Sequence, residues 1–341
     1  MNSEWQAFLE SQGIGIEDGV AAPAPGDPGD CNLFHLGQFG LIRVSGEDAV
    51  DFLQGQLTND VRELTADHSQ LSSYCSPKGR MMASFRLFRL GDDILIQLPR
   101  TRLGPILQRL RMFVLRSKVT LEDASDDLVQ IALTGDCAPD ILGDLAPAAA
   151  DEAVQGNDLA VVRVAGDRPR FVVTGTPATV TALWQRAADN ATPAGAAAWR
   201  LLDIRAGIPV VEEATVETFV PQMTNLQLIN GVSFTKGCYT GQEVVARMQY
   251  LGKLKRRMFR VSIDTDTCPA AGTELFSPQS ASGQGAGRIV SAAPAPGGGC
   301  EALAVVETAV ADSGEIHVGS NEGPVLTFLD LPYPFEEQKA S

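Results

Sequence analysis

Apolar positions in this chain change period in blocks, and each change marks an element. Residues 39–44 read as a strand, Gly46 breaks it, and Ala49, Phe52, Leu53 and Leu57 then recur at helical spacing. Two apolar runs, 81–90 and 94–98, flank Gly91-Asp92-Asp93 and predict a β-hairpin. Helical intervals over 103–115 and a return to strand character at 119–121 follow. A similar order recurs downstream: a strand over 128–133, a helix near 139–145, strands over 159–164 and 170–173 joined by Gly166-Asp167, and a helix through Trp184. Around and beyond Arg260 come short strands at 258–263, 273–276, 287–291, 302–307 and 325–329, punctuated by glycine and proline. The expected fold class is therefore α+β, with two lobes of related design and a terminal antiparallel β-barrel or sandwich.

Ahead of these blocks, Trp5, Phe8 and Leu9 share one face of a short helix, and AAPAPGDPGD then reads as a linker. A length of 341 residues exceeds one ordinary core. The division expected is an N-terminal appendage and linker over 1–30, a first lobe over 31–122, a second over 123–250 and the β module over 251–335.

Composition narrows the function classes. Hydrophobic residues make up 44% and charged residues 20%, a globular balance, and no run approaches the roughly 20 apolar residues of a membrane-spanning helix. The first residues carry acids and no basic leader pattern, so the cytoplasm is the expected compartment. A monomer is the expected state. A formal charge of −15 opposes general attraction to nucleic-acid phosphates, so RNA binding needs local evidence. The six cysteines are scattered without a CxxC or a histidine at ligand spacing, which indicates neither a zinc site nor a disulfide framework. With only three histidines, none near another, a histidine-based metal centre or a Ser-His-Asp hydrolase also has little material.

The densest motif is Lys236-Gly237-Cys238-Tyr239-Thr240-Gly241-Gln242-Glu243. Two glycines bracket a cysteine, which predicts a tight loop presenting Cys238 before a helix begins at about Gln242. Lys236 and that helix start are both of the type that favours a thiolate. An isolated cysteine is more often an inert core thiol, so context alone leaves both readings open. Lys253, Lys255, Arg256, Arg257 and Arg260 follow as a basic cluster, readable as a docking patch for RNA or an acidic partner or as a solvated linker.

KGCYTGQE resembles the signature of the YgfZ family, a branch related to the glycine-cleavage T-protein, and every position of that pattern is filled. DFLQGQLTNDV at 51–61, SPKGRMMASFRLFR at 76–89, WRLLDIRAGIP at 199–209 and FVPQMTNLQLINGVSFTKG at 219–237 are similar to family segments in family order. The resemblance implies a T-protein-like fold, with two ferredoxin-like α+β lobes and a C-terminal antiparallel β-barrel around a folate-sized opening. It implies tetrahydrofolate or a derivative as cofactor, with Phe39 and Trp199 as the folate-associated aromatics. It implies a role in assembly or repair of iron-sulfur clusters in client enzymes, including those that modify transfer RNA. The partners implied are iron-sulfur client or assembly proteins.

Three departures qualify the likeness. Phe39 stands where a family relative carries tryptophan, which leaves less area and no indole N–H. Arg205 stands where the aminomethyltransferases carry a pterin-reading glutamate, and a guanidinium accepts no hydrogen bond. Ala83 and Ser84 replace an aspartate pair of those transferases, so neither supplies a carboxylate. The expectation is a folate-binding factor with Cys238 as the functional thiol; a folate-dependent one-carbon transferase and a non-catalytic client- or RNA-binding module are the competing readings.

Overall fold

The computed structural model describes residues 2–17, 20–21, 30–156, 158–280, 285–312 and 314–335. Most of the expected linker, 22–29, lies outside the described residues. The chain is α+β and folds as two units whose segments interleave along the sequence. The first holds residues 1–56, 60–70 and 85–199; the second holds 57–59, 71–84 and 200–341.

In the first unit the elements follow the hydrophobic blocks. The hairpin is Met81–Leu90 with Asp93–Pro99, although the chain passes from one unit to the other within its first strand. Phe39–Ser45 pairs antiparallel with Asp93–Pro99 on one side and with Thr120–Asp123 on the other. Arg100–Arg111 forms the helix, burying Leu103, Ile106, Leu107 and Leu110 at helical spacing. A six-stranded sheet is built on Val129–Thr134, flanked by Arg170–Gly175 and Asn32–His35. Its outermost partner, Thr192–Ala194, is parallel to Asn32–His35, and no local pattern announced either short strand. The N-terminal helix Ser3–Ser11 belongs to this core: Trp5 and Leu9 are buried, Trp5 packs edge-on against Trp184 and its indole N–H donates to His35 Nδ1.

The second unit carries a six-stranded C-terminal sheet. Arg256–Ile263 and Cys300–Glu307 are its centre, paired over eight residues, with Gly287–Pro294 and Leu326–Leu329 outside them. All its pairings are antiparallel. Alternate residues of these strands supply two apolar clusters, one around Met258, Leu303 and Val305 and one around Val261, Ile289 and Val306.

Cysteine spacing gave no sign of disulfides, and here the tertiary structure corrects the sequence reading. Cys31 pairs with Cys137 in the first unit and Cys268 with Cys300 in the second, with Cα separations of 6.0 and 5.6 Å. Strand register is the cause. Asn32 lies opposite Thr134, so the residues just beyond each reach the same sheet end; Ile263 lies opposite Cys300, and the turn after Ile263 returns Cys268 to it.

Among the described residues no helix is long and apolar enough to cross a membrane, and no group of three or more His, Cys, Asp or Glu side chains is placed to hold a metal ion.

Candidate functional site

The signature loop lies in the second unit and is held by buried polar contacts. Lys236 is buried, and its ammonium donates to the carbonyls of Leu57 (2.6 Å) and Asn59 (2.9 Å). Those carbonyls belong to a segment that is itself pinned. Thr58 Oγ1 donates to Gly231 O at 2.9 Å and accepts from Ser73 N, while Ser233 N donates to Thr58 O. The Asn59 amide donates to the carbonyls of Leu71 and Asn230. The lysine charge therefore organises three chain segments, and it also lies over the ring of Tyr239, 5.2 Å away.

Two turns then interlock. Gly79 (φ +68°) ends the Ser76-Pro77-Lys78-Gly79 turn, and Gly241 (φ +85°) precedes the helix Gln242–Tyr250. A Cβ on Gly241 would meet Ser76 O and lie 3.0 Å from Gly79 Cα; one on Gly79 would lie 2.7 Å from Val244 Cβ. Both positions need glycine for space and for conformation. Gly237 is different: its φ is not positive and an added Cβ would meet nothing within 4 Å, so the expected close approach belongs to Gly241 alone.

Cys238 sits between these anchors as an exposed free thiol. Four of the six cysteines are paired in disulfides. The other free cysteine, Cys75, is buried, and burial pushes its thiol up to about 12 despite a hydrogen bond with Ser73. Cys238 is thus the one thiol of the chain that solvent reaches.

Phe39 and Trp199 lie in the first unit. Phe39 is half-buried at the start of its strand, with its carbonyl accepting from the Gln130 amide. Trp199 is 3% exposed; the Arg170 guanidinium covers its ring at 4.4 Å and Phe34 meets it edge-on at 5.4 Å. The predicted residues therefore form two sets: Lys236 and Cys238 on one loop, Phe39 and Trp199 in the other unit.

The departures also acquire partners. Ser84 Oγ donates to Pro209 O and accepts from Val211 N, and Ala83 is buried, so this pair acts in packing. Arg205 and Arg260 each take one oxygen of Glu301 with two nitrogens. Burial works to raise the Glu301 carboxyl, but the hydrogen bonds from Arg205 and Arg260 outweigh it and hold the group below the usual glutamate value. The basic cluster shrinks accordingly. Arg260 belongs to this triad, Arg257 stacks on Phe335 at 4.4 Å and Arg256 donates to Gly285 O, leaving Lys253 and Lys255 exposed.

Sequence reading missed the partners of the signature. Thr58 and Asn59 stood in a polar break after an apolar helix, which signals a turn but not its counterpart about 177 residues away.

Comparison with known proteins places the chain in a family. Residues 29–234 match the family model described as the GCVT N-terminal domain. A relative from Colwellia psychrerythraea named "tRNA-modifying protein YgfZ" is 34% identical over 308 residues, covering 88% of this chain and 93% of that protein. The protein of that name from Yersinia enterocolitica is 32% identical, over 90% of this chain and 94% of its own. Among solved structures, aminomethyltransferase T of the glycine cleavage system from Bartonella henselae superposes with a TM-score of 0.74 at 16% identity, covering 96% of each chain, which shows a shared T-protein-like fold.

Proposed function

Since the chain belongs to the YgfZ family, we propose that it is a folate-binding protein acting in assembly or repair of iron-sulfur clusters in client enzymes, including enzymes that modify transfer RNA. The observation that carries the reading is the thiol inventory: Cys238 alone is free and exposed, on a loop whose stability rests on other residues. A soft sulfur that is reachable and rigidly presented is what transfer of iron or sulfur to a client requires. Lys236 acts on it by holding the loop, since its ammonium is engaged by two carbonyls.

Tetrahydrofolate or a derivative is the ligand proposed. Phe39, half-buried, is the aromatic within reach of a ligand, whereas Trp199, 3% exposed beneath the Arg170 guanidinium, backs the proposed site from inside the core. Arg205 is engaged by Glu301, so a different group reads the pterin amine.

The test is complementation. Cells whose only copy is Cys238→Ser should lose most cluster-dependent thiolation of transfer RNA, while the purified variant melts like the parent. Full rescue by a stably folded variant overturns the functional thiol. Titration with tetrahydrofolate should saturate, and Phe39→Ala should weaken it by about fivefold, the equivalent of about 1 kcal/mol of lost stacking. No saturable binding removes the folate from the proposal.

A further inference from the structure

The signature helix Gln242–Tyr250 turns one face inward and leaves side chains of the other exposed. Val245 is buried in the cluster of Met81, Leu226 and Met258, and its carbonyl accepts from the Gln222 amide at 2.7 Å. On the outward side Val244, which borders the 76–79 turn at Gly79, is 37% exposed, Tyr250 is 67% exposed, and Leu251, just past the helix, is 84% exposed. Single exposed apolar residues are ordinary, but these three share one short strip. Phe234 meets Tyr250 edge-on at 6.1 Å, so the tyrosine ring is held rather than loose.

The charge of the strip opposes that of the molecule. Residues 241–255 carry Arg247, Lys253 and Lys255 against Glu243, a formal +2 in a chain of −15. Arg247, Lys253 and Lys255 are exposed, whereas Arg256, Arg257 and Arg260 turn to partners within the protein. Tyr250 and the aliphatic side chains ringed by cations give an apolar centre with a charged rim, the layout of a protein-binding patch, and Tyr250 and Arg247 are of the types enriched there.

We propose that this strip, from Val244 to Lys255, is the docking surface for the client protein, and that the client presents an apolar recess rimmed by carboxylates. The occupant is protein and not RNA for two reasons. Val244 and Leu251 are aliphatic and gain by entering an apolar recess, while base stacking needs successive aromatic faces and the strip offers one. The overall negative charge also opposes a polyphosphate, which is charged along its whole length, more than a protein whose carboxylates are confined to the rim of one recess that the local basic strip can pair. The strip begins six residues after Cys238, so docking here brings the client to the loop that presents the thiol. This inference rests on the client reading above.

The experiment measures binding of the full-length chain to a purified iron-sulfur enzyme that thiolates transfer RNA, using three proteins: parent, Cys238→Ser, and the triple variant Leu251→Ser, Lys253→Glu, Lys255→Glu. The parent should bind, more weakly as salt rises. The triple variant should bind at least tenfold more weakly while its thermal midpoint and its rate of Cys238 alkylation by iodoacetamide match the parent. Cys238→Ser should bind like the parent yet fail to support the client, which separates docking from the thiol's chemistry. Parent-like binding by the triple variant overturns the surface, and absence of binding by the parent overturns the partner. Unaltered client binding combined with a tenfold loss of affinity for transfer RNA makes the strip an RNA site and also overturns the proposal. Full activity of Cys238→Ser sinks the functional thiol alone and leaves the binding comparison to judge the surface.

Discussion

The surroundings of Trp199 and the loop of Cys238 are built on opposite plans. Trp199 is buried, one ring face under Arg170 and its edge on Phe34, so whatever it does for a ligand it also does for the fold. Cys238 is exposed, and the loop's stability resides elsewhere, in Lys236, Thr58 and the glycine contact of Gly241 with the 76–79 turn. In the first region function and stability are the same atoms; in the second they are separable. A substitution at Cys238 can therefore report on chemistry, while one at Trp199 reports on folding first.

The sharpest test of that contrast is a pair of truncations. Trp199→Ala should lose about 3–5 kcal/mol of unfolding free energy by urea titration, the range for emptying a buried aromatic site, whereas Cys238→Ser should stay within about 0.5 kcal/mol. A stable Trp199→Ala protein would break the comparison. Trp199→Phe is the milder variant for measuring folate affinity.

Next in size is the strut. Lys236→Met removes the donor that two carbonyls share and should cost about 2–3 kcal/mol, with faster amide exchange in the segments around 57–59 and 230–241. Unchanged exchange there would make Lys236 a bystander.

Within the loop, the glycines divide the same way. Gly241→Ala should lose about 2 kcal/mol, because alanine is strained at φ +85° and its Cβ meets the 76–79 turn. Gly237→Ala should fall within about 0.5 kcal/mol, having an ordinary φ and open space. Chemical denaturation of the two variants side by side decides it.

The smallest expected loss belongs to Glu301, the partner of Arg205 and Arg260. Because the Glu301 carboxyl is held below its unfolded value, its contribution is present above about pH 4.3 and is lost as pH falls through the folded value. Glu301→Gln should cost about 1 kcal/mol at neutral pH, the two arginines being partly exposed, and should flatten that part of the acid limb of a stability-against-pH curve. An unchanged limb would show that the triad adds nothing to the unit.

Much of this architecture was legible in the chain. Alternation and helical spacing located the hairpin, the helices at Arg100–Arg111 and Pro177–Ala188 and five of the six C-terminal strands within a few residues, because periodicity reflects which side of an element faces a core; the two-residue strand His317–Val318 is too short to show a period. The bracketed cysteine and the helix after it were also readable, since glycine placement and helix starts are matters of local backbone conformation.

What the sequence alone determined, then, was the local inventory: element type, the turn at KGCYTGQE, and Cys238 as a residue to watch. Tertiary structure decided which side chains meet. The pairing of Cys31 with Cys137 spans 106 residues and that of Cys268 with Cys300 spans 32. The reach of Lys236 to Leu57 spans 179, and the grip of Arg205 on Glu301 spans 96. Each depends on strand register or on how turns pack, which the chain specifies only through the cooperative fit of the whole core, and so no window of neighbouring residues displays it.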